Sequence, residues 1–311
     1  MLTLIVVVTV GVVAVVVFLN PWLTHATEKS MPPLGDFAEI DGTRVHYVDR
    51  GAGVPIVLIH GANGALQDFT NTVFDTLAAN YRVIAIDRPG HGYSERPNGS
   101  VTLERQATML HELLNRLGIE RPVIVGFSFG ATMALAYALD YPKETGSVVT
   151  LGGAAYEWPG AIDWKWNLPT WPLVGGLLAD NLPQIAGRII RSAAVRGAFS
   201  PDPVAAEYEN APYGLMLRPV SFRANAADIR NLKSLLRAQS PRYPSLSVPL
   251  VIIAGDGDSV VSNRIHSMRL HADVPGSELT LLRGAGHLLP YSRRDDVLSA
   301  IERGVERRGA Q

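Results

Sequence analysis

Val123-Ile-Val-Gly-Phe-Ser-Phe-Gly-Ala131 is the stretch whose reading decides the fold. A short apolar, β-rich run ends in Gly126-Phe127-Ser128-Phe129-Gly130, and helix-forming residues follow at once over 131–140. Strand, tight turn and helix give the G-x-S-x-G pattern its meaning. The turn holds the serine in a strained conformation, with its hydroxyl exposed and its backbone close to a helix N-terminus. Side chains at the two glycines would collide with the neighbouring strand and helix. Without that context the pentapeptide would be only a serine in a glycine-flanked turn.

Working outward, the upstream sequence alternates strands and helices. Residues 37–40 and 44–48 read as a hairpin around Asp41-Gly42. Pro55-Ile-Val-Leu-Ile59 is a continuous apolar run, as expected of a strand buried on both faces, and it delivers His60-Gly61-Ala62-Asn63-Gly64 onto a loop. A helix over 66–79, the strand Arg82-Val-Ile-Ala-Ile86, the loop Asp87-Arg-Pro-Gly-His-Gly-Tyr-Ser94 and a helix over 102–117 come next. This alternation predicts an α/β fold with a doubly wound, mostly parallel sheet, its first part over 36–154. Over 155–243 no buried strand is evident, and patches of helical periodicity predict a helical cap. Four tryptophans cluster there: Trp158, Trp164, Trp166 and Trp171. They either fill a small core or line an apolar pocket, and the two readings look alike in sequence. The sheet pattern resumes over 244–311, with a strand over 248–255, a helix over 262–270, a strand over 278–282 and an amphipathic helix over 293–308.

Residues 2–19 contain no charged side chain, and as a helix they would rise about 27 Å, close to the apolar thickness of a bilayer. The expectation is an N-terminal transmembrane helix over 1–20, followed by a proline-containing linker over 21–35. The alternative is a signal segment cleaved near Thr24-His25-Ala26 to release a secreted protein. Lys29 is the only basic residue in the twenty positions after the span, so an extracytoplasmic catalytic domain is favoured. The 311 residues are 47% hydrophobic and 18% charged, a balance that suits a folded core. A net charge of −1 gives no sign of a nucleic-acid partner, and the absence of cysteine excludes thiolate nucleophiles, thiolate metal sites and disulfides.

A serine hydroxyl needs a base within hydrogen-bond reach, and the base needs an acid to fix its tautomer and stabilise its cation. Of eight histidines, His60, His91 and His287 fall on loops after strands, where an open α/β sheet gathers reactive groups. The chain order serine, acid, histidine selects His287. Asp256 and Asp258, in a glycine-rich loop beyond a strand, are both candidates for the acid.

Taken together, His60-Gly61, Asp87-x-x-Gly90-x-Gly92-x-Ser94, the Gly126–Gly130 elbow, Gly255-x-x-Asp258 and Gly286-His287 resemble the α/β-hydrolase superfamily. More narrowly they resemble its lid-bearing branch of esterases, carbon–carbon bond hydrolases, cofactor-free haloperoxidases, epoxide hydrolases and haloalkane dehalogenases. The resemblance places the acid at Asp258 and the oxyanion hole at the backbone N–H groups of Ala62 and Phe129. It makes His60 and Asn63 shapers of their loop, and Asp87, Arg88 and His91 support for the site. Epoxide hydrolases and dehalogenases carry aspartate at the elbow, so Ser128 favours acyl transfer. Leu288 stands where carbon–carbon bond hydrolases often carry tryptophan.

The expected activity is therefore hydrolysis of a carboxylic ester with an apolar portion, through an acyl-enzyme on Ser128, Asp258 and His287, with no cofactor or metal. The alternatives are a carbon–carbon bond hydrolase or haloperoxidase-like enzyme on the same triad, and a non-catalytic ligand-binding protein. The expected partners are a small molecule and, through the N-terminal helix, a membrane.

Overall fold

The computed structural model describes residues 19–99 and 101–308. Its strands are β1 (Asp36–Ile40), β2 (Thr43–Arg50), β3 (Pro55–Ile59), β4 (Arg82–Ile86), β5 (Val123–Phe127), β6 (Ser147–Leu151), β7 (Leu250–Gly255) and β8 (Glu278–Leu282). They form one sheet in the order β1-β2-β4-β3-β5-β6-β7-β8. β2 runs antiparallel to both β1 and β4, and the other pairings are parallel. The β1–β2 hairpin turns on Asp41 and Gly42, both at positive φ (47° and 66°), as a two-residue turn between right-twisted strands requires.

The helices are α1 (residues 19–30), α2 (Gln67–Thr70), α3 (Phe74–Ala78), α4 (Leu103–Arg116), α5 (Phe129–Asp140), α6 (Gly175–Phe199), α7 (Tyr213–Met216), α8 (Pro219–Gln239), α9 (Ser267–Asp273), α10 (Leu289–Ser292) and α11 (Arg294–Arg308). Strand periodicity sorts the core into two layers. Val57 and Ile59 of β3 face α4 and α5, whereas Ile56 and Leu58 face α2, α3 and α11. Each layer buries one face of the sheet against helices, which explains why the central strands read as unbroken apolar runs. α4 lies on its layer through Leu103, Ala107, Leu110 and Leu114, and the Thr102 side chain caps it by accepting from the Arg105 N–H at 3.2 Å. Between β6 and β7 the chain leaves the sheet, and α6, α7 and α8 build a cap.

Several expectations are corrected. The helix expected over 66–79 is two short helices, α2 and α3. Thr72 lies in the break, and its hydroxyl donates to the Asp68 carbonyl at 2.7 Å, competing for an acceptor that a continuous helix would use. The helix expected over 262–270 is present only as α9, preceded by turns. Part of the stretch read as a linker, residues 21–30, is helical. Among the described residues no helix is long and apolar enough to cross a membrane, and nearly all of the span expected over 1–20 lies outside them.

Asp87, fully buried at the end of β4, ties three segments together. Its carboxylate accepts from the Leu66 N–H at 2.8 Å and the Tyr93 N–H at 2.8 Å, and lies 2.6 Å from His46 Nδ1 on β2. This accounts for the aspartate of the Asp87-to-Ser94 loop as structure rather than chemistry. Asp87→Ala would leave the buried Leu66 amide and the half-buried Tyr93 amide without an acceptor, and is expected to cost about 3 kcal/mol in urea unfolding.

Candidate active site

The site begins at the end of β5. Ser128 sits between the strand and α5 at φ 53°, ψ −116°, a region that costs a non-glycine residue about 1–3 kcal/mol. Its N–H donates to the Leu151 carbonyl on β6 at 2.9 Å, and its own carbonyl accepts from the Ala131 N–H at 3.1 Å. A Cβ built on Gly126 would lie 2.5 Å from the Ala131 backbone, and one on Gly130 would lie 2.7 Å from the His60 carbonyl oxygen. Strand, helix and the loop after β3 therefore meet around the elbow at distances only glycine permits.

The strands pair in parallel register (Ile59 with Gly126, Phe127 with Leu151, Gly255 with Leu282), so the loops that follow them emerge at one edge. That register brings together residues 159 positions apart: His287 Nε2 lies 3.0 Å from Ser128 Oγ. On its other side, His287 Nδ1 lies 2.7 Å from Asp258 Oδ2. The second oxygen of Asp258 accepts from the Val260 and Val261 N–H groups, both at 2.8 Å, which fixes the plane of the carboxylate. A carboxylate at Nδ1 selects the tautomer that keeps the proton there, leaving the Nε2 lone pair for the serine hydroxyl. Asp256 has a different task. It accepts from the Gly284 N–H at 2.7 Å and shapes the loop that leads to His287.

Ala62 and Phe129 flank the serine and line the same cavity, and among the described residues neither N–H has a protein acceptor. The segment around Ala62 is clasped by the cap helix α8. The Asn63 N–H donates to Asn225 Oδ1 at 2.8 Å, and the Asn225 amide donates back to Asn63 Oδ1 at 2.8 Å. One helical turn on, Asp228 accepts from the fully buried Arg88 at 2.8 Å and from Arg96 at 2.8 Å. Arg88 also donates to the Gly61 carbonyl at 3.3 Å, and its guanidinium lies over the Phe129 ring. The residues on either side of Ala62 are thus both held by α8. The other end of the cap holds the histidine: the His287 N–H donates to the Ala198 carbonyl at 3.0 Å, and the Gly286 N–H donates to Asp202 at 3.0 Å.

Sequence reasoning missed Asn225, Asp228 and His266. The signal for the first two was a polar pair three residues apart on a helix face that also carries the apolar Ala224, Leu232 and Leu236. His266 Nδ1 accepts from the Ala155 and Tyr156 N–H groups at 3.2 and 3.1 Å, so its lone pair is committed. Burial pulls its pKa down to about 4, with Asp258 opposing. His60 and His91 are also held neutral, chiefly by burial and then by the Arg88 charge, and neither reaches Ser128.

The cavity over Ser128 measures about 830 Å³ and is predominantly apolar. Trp158, Trp164 and Trp166 line it, while Trp171 stacks on Trp164 from outside with ring centres 5.9 Å apart. The tryptophan cluster therefore serves the pocket more than a separate core. Asp68 adds a polar point to the wall. It accepts from the Tyr291 hydroxyl at 2.9 Å, and burial raises its pKa to about 7.

An eight-stranded, mostly parallel sheet, a serine on a strained strand-to-helix turn and a histidine–aspartate pair beneath a helical cap define the α/β hydrolase fold. The chain belongs to that family, which matches it over residues 54–293. It is 30% identical over 297 residues to an uncharacterised protein of Mycobacterium tuberculosis, covering 88% of this chain and 82% of the relative. It is 33% identical over 139 residues to a 2-hydroxy-6-oxo-2,4-heptadienoate hydrolase of Pseudomonas putida, covering 43% of this chain and 50% of that one. Among solved structures it resembles an esterase of Exiguobacterium antarcticum with a TM-score of 0.71 at 21% identity, covering 88% of this chain and 100% of that one.

The depressed His266 pKa carries a stability consequence. The unfolded chain binds a proton at this histidine below pH 6.5 that the folded chain refuses until about pH 4. The stability is therefore fully present above pH 6.5 and is lost as pH falls through this window, by about 2 kcal/mol at pH 5. In His266→Asn, whose side-chain oxygen can accept from the same amides, urea unfolding is expected to lose that much less stability between pH 7.5 and 5.

Proposed function

We propose that the protein is a serine hydrolase that cleaves a carboxylic ester with an apolar portion through an acyl-enzyme. The observation that carries the reading is the hydrogen-bonded line from Ser128 through His287 to Asp258, set beneath an apolar cavity beside two uncommitted amides. His287 takes the proton of Ser128 as its oxygen attacks the carbonyl carbon. The carbonyl oxygen, now negative, accepts from the Ala62 and Phe129 N–H groups, and Asp258 stabilises the imidazolium. His287 Nε2 then protonates the departing alcohol. A water enters, gives its proton to His287 and attacks the acyl carbon, and collapse of the second tetrahedral intermediate frees the acid and restores Ser128.

A carbon–carbon bond hydrolase is a second reading, supported by the likeness to the heptadienoate hydrolase. Such a substrate carries a carboxylate, which favours a cationic side chain in the pocket. Lys165 lines the cavity but already pairs with Asp163 at 2.6 Å, and Arg88 is committed to Asp228. This distribution of charge favours the ester. The proposal extends to location: residues 1–20 anchor the chain in a membrane with the catalytic domain on the extracytoplasmic side, a reading supported by the uncharged stretch 2–19 and the sparse basic flank.

A fluorophosphonate probe is expected to modify Ser128, identified by digestion and mass spectrometry, and Ser128→Ala to lower kcat on p-nitrophenyl esters by about 10⁵-fold or more. A Ser128→Ala protein that retained wild-type ester hydrolysis would overturn the assignment, as would faster turnover of vinylogous 1,5-diketones than of esters. Asn225→Ala loosens the Ala62 segment without touching substrate. It is expected to lower kcat about tenfold with KM little changed, whereas Asn225→Asp, which keeps an acceptor for the Asn63 N–H, recovers part of the loss.

A further inference from the structure

The cavity opens through a collar of large apolar side chains. Trp164, Leu182, Ile190 and Val260 each line it and are nevertheless 64%, 43%, 58% and 56% exposed. The apolar surface continues outward from the collar: Leu173 is fully exposed, Ile189 is 75% exposed, and Trp171, Val174 and Leu177 add to them. Of the seventeen large apolar side chains that are exposed among the described residues, eight fall within residues 164–190. A concentration of this kind on one segment marks a surface with an apolar partner.

The path of the chain says what that partner is. α1 is fastened to the cap helix that carries the collar: Gln184 donates to Thr24 Oγ1 at 3.2 Å and Arg188 to Thr27 Oγ1 at 3.1 Å, both from α6. Glu28 completes the attachment through Arg218, at 2.8 Å, beside the start of α8. Immediately before α1 lies the uncharged stretch 2–18, and Trp22, near the junction, is 64% exposed, as suits an aromatic side chain at a headgroup boundary. α6 also carries the exposed Arg188 and Arg196, while its acidic residue, Asp180, pairs with Arg223 at 2.6 Å. Its positive balance suits anionic lipid headgroups.

We propose that the collar face of the cap rests on a lipid bilayer, so that the substrate is a membrane-resident amphiphile whose acyl chain passes from the leaflet through the collar to Ser128. The proposal builds on the ester reading and names its substrate class. An acyl chain leaving the leaflet by this route meets apolar side chains throughout and is never transferred through water.

The test reconstitutes the full chain in phosphatidylcholine vesicles containing phosphatidylglycerol and compares it with Leu173→Glu/Ile189→Glu, two positions that do not line the cavity. Hydrolysis of a long-chain umbelliferyl ester dissolved in the vesicles is expected to fall at least tenfold in the variant, with soluble p-nitrophenyl acetate turned over at the wild-type rate. Loss of neither rate, or an equal loss of both, overturns the proposal. Failure of the wild type to hydrolyse either ester overturns the ester reading instead. The surface is then read without turnover, in a Trp22→Phe background, by quenching of tryptophan emission with brominated-chain phospholipid. Quenching that weakens in the glutamate variant supports the bilayer, and its absence in the parent overturns it. A dimer in detergent that the glutamates dissociate, with vesicle rates unchanged, makes the face a self-association surface and also overturns the assignment.

Discussion

A serine at positive φ survives only where its neighbours at both sides leave room for the backbone, and that requirement organises the whole active face. The turn at Ser128 draws β5, α5 and the loop after β3 to within backbone contact, because Gly126 and Gly130 present no side chains there. Seating of Ser128 and seating of the Ala62 segment are consequently one packing event. The small backbone cost of the turn is offset by layers of buried aliphatic side chains on both sheet faces, in which Val57, Ile59, Ile56 and Leu58 are wholly inaccessible.

Electrostatics around the site are set by burial. His60, His91 and His266 are all held neutral, although each is near the charged machinery. His266 and His60 accept from backbone amides, the latter from the Arg88 N–H at 3.0 Å, and His91 Nε2 lies 3.2 Å from the Arg88 guanidinium. Keeping these rings uncharged leaves His287 as the imidazole bonded between a hydroxyl and a carboxylate.

The parts most legible in sequence were those where one local rule decides. Unbroken apolar runs marked the parallel strands, Asp41-Gly42 marked the hairpin, and the ordered residues Ser128, Asp258 and His287 marked the line that the strand register assembles. The choice between Asp256 and Asp258 needed the family pattern, because both sit in the same turn and differ only in where their oxygens point. The break at 71–73 depends on a threonine hydroxyl taking a carbonyl, a competition that helical periodicity does not register. Asn225 and Asp228 acquire their role only from what α8 faces, and no pattern within one segment shows what lies 162 positions away.

The Arg88–Asp228 pair has a mechanical corollary. Both charges are essentially shut off from solvent, so prising α8 upward would strand them in the interior, and the His287-to-Ala198 bond tethers the far end of α6 as firmly. The roof is therefore riveted at two places, over the loop that follows β3 and over the loop that carries His287.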